Sequence, residues 1–517
     1  MVWVVKHGRD FAFPDYKANY PREHLFKLVH VFLRIWLYVF ERKIDGEVEL
    51  TFIPKFEKLK SVTLDAVDMD IKSVEWFDGP LRYVYDGEKL KILFDRELKK
   101  GENYKVKIIY SARPRVGLYF ILPDNDKPNI QPQVWSQGEP EYTRYWIPIY
   151  DYPNNKCTSE IVAYAPKEFT VLSNGRLVET FEDDKWKAWH WRMDYPHSTY
   201  LITIVAGIFD YIEENFDGIP LYYYVPKGMG EHIHRSFSRT KDILMFFSEF
   251  TGVRYPYDQY IQVCVSEFVV GGMENTTITV LTDRTLHDEK AHMDFESEPL
   301  VAHEAAHQWF GDLVTTKDWG NIWINESFAT YLENLYVRHW KGDDEFIYEL
   351  YRDLKMYLDE YRKRYSRPIV TRIYKYPSEV FDAHSYPKGG LVLHTLLNLV
   401  GEDKFREAIN LFLNRFKFSN ADTEDLRKVF EEVTDLDLEW FFDQYVYNAG
   451  HPVISFSYDW LPETKILKIV IKQVQREDSL DVYKMKLDLV IITKSKTINK
   501  EVNVEEKELI LYIHIDE

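Results

Sequence analysis

His303, Glu304 and His307 stand in the run Val301-Ala302-His303-Glu304-Ala305-Ala306-His307-Gln308-Trp309-Phe310-Gly311, and Glu326 follows in Asn325-Glu326-Ser327. At about 1.5 Å and 100° per residue, two histidines four apart on a helix leave from one face and can grip one metal ion. Glu304, beside the first histidine, falls just off that face and is left free to carry a proton. Catalytic zinc usually takes three protein ligands and keeps one position open to water, so two imidazoles need a third partner. Glu326 supplies it after eighteen intervening residues, a spacing that suits a second helix packed across the first. These residue types and spacings are those of a zinc peptidase, with one Zn2+ per chain held by His303, His307 and Glu326.

The element carrying the motif is well delimited. Ser297 is a suitable N-cap, Pro299 fits a first turn and Gly311 is a natural stop, so a helix over residues 299–311 is expected. Val301, Ala302, Ala305, Ala306, Trp309 and Phe310 make it apolar nearly all round, which predicts burial. Buried histidines beside a buried glutamate need a metal or strong hydrogen-bond partners to offset their desolvation. The plainer alternative, a surface helix with two unrelated histidines, does not account for that apolar setting.

At 517 residues the chain is long enough for about three domains. Hydrophobic residues are 45% and aromatics 16%, which excludes disorder and suits extensive β structure. The most apolar stretch, residues 25–40, is broken by Lys27, His30 and Arg34 and is shorter than the roughly 20 residues that span a bilayer, so a buried strand is expected. No membrane partner is therefore expected. Residues 1–7 lack the features of a signal peptide, which makes a cytoplasmic location the default. Cys157 and Cys264 stand too far apart for metal-ligand spacing and read as buried small hydrophobes. The net charge of −19 argues against nucleic acid as a partner and would favour a cationic group such as a peptide's α-ammonium, although an acidic solvated surface accounts for it equally well. Abundant Lys and Glu with two Cys resembles the composition of thermophilic proteins.

Along the chain, short alternating runs at 47–53, 61–67, 89–94, 104–110 and 158–164 predict a β-rich N-terminal domain, and Ser173-Asn174-Gly175-Arg176 reads as a hairpin turn. The period then becomes helical at 232–251, 299–311, 326–341, 344–365, 389–400, 403–416 and 423–433, with one strand at 260–265 ahead of Gly271-Gly272-Met273-Glu274-Asn275. Period two returns at 453–458, 466–473, 485–493 and 508–515. The expected domains are 1–208, 209–448 and 449–517, in an α+β multidomain chain.

Gly271-Gly272-Met273-Glu274-Asn275 ahead of His303-Glu304-Ala305-Ala306-His307 and Asn325-Glu326 resembles the zinc aminopeptidase family that includes aminopeptidase N and leukotriene hydrolase. The likeness continues in Ser136-Gln137-Gly138-Glu139 with Arg144, Pro148 and Asp151, and in Ser385-Tyr386-Pro387-Lys388-Gly389-Gly390, covering most of residues 20–448. The resemblance implies a β-saddle N-terminal domain, a thermolysin-like α/β catalytic domain and a small C-terminal β-sandwich. It implies peptide substrates with a free N-terminus, whose amino group Glu274 and Glu139 bind while Gln137 lines the same anchor. Gly271, Gly272, Met273 and Asn275 complete that substrate-binding motif. Two carboxylates at the end of a cleft suit this role, since they bind an ammonium and set register by one residue. Without the resemblance, Glu139 reads equally well as a solvated loop carboxylate.

By the same resemblance Tyr386 donates a hydrogen bond to the oxyanion and Glu304 is the base. Glu333, seven residues past Glu326 and on the same face, either orients a metal-bound histidine or is solvated. A thermolysin-like endopeptidase would share the zinc core but need no ammonium anchor; a scaffold that had lost catalysis should show a replaced ligand or base, and none is visible. Two departures from the family pattern stand out. Ser327 replaces the usual glycine after the third ligand, a change expected to be harmless. Only 67 residues follow Gly450, too few for the helical C-terminal domain of many members, so an enclosed chamber, size-limited entry and epoxide hydrolase activity are not carried over.

Overall fold

The computed structural model describes residues 11–76, 79–476 and 479–515; residues 1–7, on which the signal-peptide reading rests, lie outside them. An eight-stranded sheet dominates the first part of the chain, and its centre is the expected buried strand, Phe26–Tyr38. Leu28, Val31, Leu33, Ile35 and Leu37 point to the core from this strand. It pairs antiparallel with Lys43–Pro54 and parallel with Lys156–Ala165, so both edges of a long apolar segment are hydrogen-bonded.

A smaller sheet orders strands Thr170–Ser173, Ile204–Gly207, Gln133–Ser136 and Leu118–Ile121. Trp135, Leu172 and Val205 of this sheet share one apolar cluster with Ile261, Val263, Val265, Ile278 and Val280 of the next sheet. Trp135 Nε1 donates to the Ser266 carbonyl at 3.1 Å, and the Ser266 amide donates to Gln133 Oε1 at 3.0 Å. The segment carrying Gln137 and Glu139 leaves directly from this clamped strand, which fixes it against the helical part of the molecule.

That part is built on five strands in the order Phe209–Phe216, Ile219–Pro226, Tyr260–Val265, Ile278–Thr282 and Gly272–Met273. The middle three run parallel, and Gly272–Met273 closes the edge antiparallel. Helices Thr240–Thr251, Glu298–Ala306, Trp323–Lys341 and Gly389–Val400 bury Phe247, Val301, Ala305, Phe328, Leu332 and Leu393 in one core, which Trp309 joins from the turn after the second helix. At the C-terminal end, a sheet of Ile454–Leu461, Ile466–Gln473 and Glu508–His514 faces the pair Met485–Ile492 and Thr497–Val504 across Leu467, Ile469, Ile471, Val502, Val504 and Ile513. The architecture is therefore a β-rich N-terminal region, a mixed helical catalytic region and C-terminal strands. Among the described residues no helix is long and apolar enough to cross a membrane.

Three local expectations are corrected. Asn174-Gly175 does not close a hairpin: Thr170–Ser173 and Arg176–Glu182 lie in different sheets. Buried Asn174 donates to the carbonyls of Leu201 and Thr276 and accepts from the Thr203 amide, so the pair forms a corner between sheets. Ser297 does not cap its helix, because its hydroxyl donates to the Ser236 carbonyl at 2.8 Å. The helix also ends at Ala306 rather than Gly311, since the amides of Gln308 and Trp309 turn back to carbonyls three residues earlier.

Candidate active site

A cleft of about 600 Å³ opens between the N-terminal and helical regions. Gln137, Glu139, Gly271, Gly272, Met273, Glu274, His303, Glu304, His307, Glu326, Glu333 and Tyr386 all line it. Asn275, expected beside them, is fully buried and not part of the cleft wall, and neither polar side-chain atom has a partner among the described residues.

His303 and His307 come from one helix and Glu326 from the helix packed across it. Nε2 of His303 lies 3.2 Å from Nε2 of His307, and the two lie 3.7 and 3.3 Å from Oε2 of Glu326. Ligand atoms about 2.0–2.2 Å from a tetrahedral zinc ion stand roughly 3.3–3.6 Å apart, so the three atoms match one face of such a shell. The opposite ring nitrogens are committed: His307 Nδ1 donates to the Phe310 carbonyl at 2.9 Å, and His303 Nδ1 lies 3.1 Å from Glu333 Oε2. A proton held at each Nδ1 leaves both Nε2 lone pairs facing one point beside a carboxylate, a donor set that fits a divalent cation. Against burial, which pulls it down, Glu274 and Glu326 push His307 up to about 9 when no cation is bound.

Glu304 is buried, and its Oε2 has no hydrogen-bond partner among the described residues. Burial pushes its carboxyl up to about 7 against the pull of His303 and His307. Its other oxygen rests on the edge strand: a Cβ at Gly272 would fall 2.3 Å from Glu304 Oε1, so only glycine admits the carboxylate there. The neighbouring backbone is tied down by Gln308, whose Nε2 donates to the Glu274 carbonyl and whose Oε1 accepts from the Thr277 amide, both at 3.0 Å.

Glu139 and Glu274 converge from the two regions, each with a carboxylate oxygen within 4.8 Å of the other and of Glu326. Burial, and then for Glu139 the nearby Glu274 carboxylate, pushes both upward. Among the described residues, Oε1 of Glu139, Oε1 of Glu274 and Oε1 of Gln137 are all buried without a donor, while Gln137 Nε2 lies 3.0 Å from Met273 Sδ. The loop bearing Glu139 is braced by Arg144, which donates to Asp151 Oδ2 at 3.1 Å and to Glu141 Oε2 at 2.5 Å. Arg144 and Asp151, singled out from sequence, thus support this loop from beneath.

Tyr386 enters the cleft from a π-helical turn, His384–Lys388, with its ring nearly parallel to that of His303 and 6.1 Å away. Pro387 has no amide to donate, so the Ala383 carbonyl takes the Lys388 amide, five residues on, at 3.0 Å. Burial, followed by Glu326, raises the phenol well above its ordinary value, which keeps it protonated and a donor. Tyr142, Leu300, Ser378 and Phe381 also line the cleft, and no spacing in the sequence pointed to them.

Residues 235–445 match the Peptidase family M1 domain and residues 17–201 the Peptidase M1 N-terminal domain. Aminopeptidase 2, mitochondrial, of Saccharomyces cerevisiae is 28% identical over 436 residues, which cover 81% of this chain and 46% of that protein. Glutamyl aminopeptidase of Homo sapiens is 31% identical over 335 residues, covering 62% of this chain and 35% of that protein. The chain thus spans about half the length of these relatives or less. The crystal structure of Legionella pneumophila aminopeptidase A in complex with aspartic acid superposes with a TM-score of 0.82 over 98% of this chain and 58% of that one, at 20% identity, a likeness of fold.

Proposed function

The chain belongs to peptidase family M1, and from that premise we propose that it is a zinc-dependent aminopeptidase, hydrolysing N-terminal residues from peptides. The observation that carries this reading is the group of buried acceptors without donors among the described residues, Gln137 Oε1, Glu139 Oε1 and Glu274 Oε1, in the cleft that also holds His303, His307 and Glu326. An α-ammonium offers three N–H donors and a positive charge, which satisfies all three acceptors together. Held there, a peptide places its first amide bond beside the histidines, and cleavage is restricted to that bond.

His303, His307 and Glu326 would hold zinc, with Glu333 and the Phe310 carbonyl fixing the two rings. The chemistry supplied by a bound zinc ion is polarisation of the scissile carbonyl and acidification of a water toward a pKa of about 7. Glu304 takes the proton from the attacking water and returns it to the leaving amine. Tyr386 donates its O–H to the carbonyl oxygen as negative charge develops there. We further propose that the units divide near residues 208 and 449, because Tyr200, Leu201, Ile202, Ile204 and Ala206 pack with the N-terminal core, Leu221 and Tyr223 pack with the helices, and Leu467, Ile469 and Ile471 pack in a separate C-terminal core.

Metal analysis paired with a panel of aminoacyl chromogenic substrates tests the reading. About one zinc per chain and hydrolysis of free-amino substrates are expected. Full activity in metal-free protein contradicts it.

A further inference from the structure

Ser327 follows the expected third ligand, at a position where the family resemblance led us to expect glycine and a harmless substitution. The structure gives its hydroxyl a specific task. A serine inside a helix usually turns its Oγ back to the carbonyl of the preceding turn. Ser327 Oγ instead donates across the helix interface to the Ser385 carbonyl at 2.6 Å, with both residues fully buried. Ser385 immediately precedes Tyr386. Its amide bonds Asp382, and its own hydroxyl donates to the Val380 carbonyl at 2.6 Å while accepting from Arg367 at 2.9 Å. Among the described residues, the side-chain hydrogen bond that joins this turn to the Glu326 helix is the one from the Ser327 hydroxyl.

The contact is possible because residue 389 is glycine: a Cβ there would lie 1.8 Å from Ser327 Oγ. Ser327 and Gly389 thus fit as a pair, the hydroxyl occupying the space that the missing side chain leaves. A π turn is an irregular segment whose carbonyls are not all used within it, so an external donor decides where it sits.

We infer that Ser327 is a positioning residue, which sets the Tyr386 hydroxyl relative to Glu326 by holding the Ser385 carbonyl. This rests on the reading of Tyr386 as the oxyanion donor, because a carbonyl held in place matters to rate only through the side chain that follows it.

A double-mutant cycle on the zinc-loaded enzyme tests the inference. Ser327→Ala keeps the helix and removes only the hydroxyl; kcat should fall about 3- to 10-fold, the size of one neutral hydrogen bond, with KM and zinc content unchanged. In the Tyr386→Phe background the same change should have almost no further effect, since the group being positioned is gone. Ser327→Gly, with the unfolding midpoint measured alongside, should repeat the loss if the effect is not one of misfolding. An unchanged kcat in Ser327→Ala, an equal loss in both backgrounds, or weakened zinc binding would overturn the inference, the last by showing that Ser327 acts through Glu326. If Tyr386→Phe alone keeps a normal kcat, it is the assigned role of Tyr386 that fails, and the inference falls with it.

Discussion

Oε2 of Glu333 lies 3.1 Å from Nδ1 of His303, while the other nitrogen of the same ring faces His307 at 3.2 Å and Glu326 at 3.7 Å. The imidazole is therefore held from behind by a carboxylate on the helix that also carries Glu326. Such an acceptor fixes the tautomer and makes Nε2 a better donor to a cation.

Glu333→Ala should accordingly weaken zinc binding by about 10- to 100-fold while leaving the three ligand atoms in place. Titration with a chelator of known affinity measures this directly. Unchanged affinity would assign Glu333 to the cleft wall alone.

Gly272→Ala would set a methyl 2.3 Å from Glu304 Oε1 and force the carboxylate, the edge strand or both to move. A displacement of about 1 Å in a catalytic group costs roughly 100-fold, so kcat should drop by one to two orders of magnitude with zinc retained. A normal kcat would place the base elsewhere.

His197 yields a prediction for stability. Burial, with Lys156 and His30 adding to it, lowers this imidazole to about 4, while its Nδ1 contacts the Tyr195 carbonyl and its Nε2 the Ser159 hydroxyl. An unfolded chain protonates His197 near 6.5, before the folded protein does, so its contribution is present above pH 6.5 and lost as pH falls toward 4. The gap of about 2.5 corresponds to roughly 3 kcal/mol. Asp151, pushed up to about 7 by burial, works in the opposite sense, losing its contribution as pH rises. The difference between wild type and His197→Gln in urea unfolding isolates the histidine: wild type should lose about 3 kcal/mol more between pH 7.5 and about 4. Parallel curves would contradict this.

The sequence displayed the proposed metal ligands because helical spacing alone brings His303 and His307 to one face, and Glu326 follows at the distance of a packed helix. Glu333 was visible for the same reason, as a residue two turns beyond Glu326. Glu139, Gln137 and Tyr386 needed the family resemblance, since each joins the cleft through contacts between distant segments that no period encodes. Ser378 and Phe381 lay in a stretch without a motif, and the Ser327 hydroxyl gained its partner only when two helices met. Asn174-Gly175 shows the reverse limit: a local turn signal was overruled by buried hydrogen bonds between Asn174 and Leu201, Thr203 and Thr276, in two other segments.

The central claim is tested most directly by one peptide in two forms, with a free and with an acetylated N-terminus, followed by mass spectrometry during incubation with the zinc-loaded protein. Acetylation removes the ammonium and leaves Glu139, Glu274 and Gln137 without their donors, an unfavourable burial of unpaired charge. The free peptide should shorten from its N-terminus one residue at a time, and the acetylated peptide should stay intact. Efficient cleavage inside the acetylated peptide would contradict the account and identify an endopeptidase.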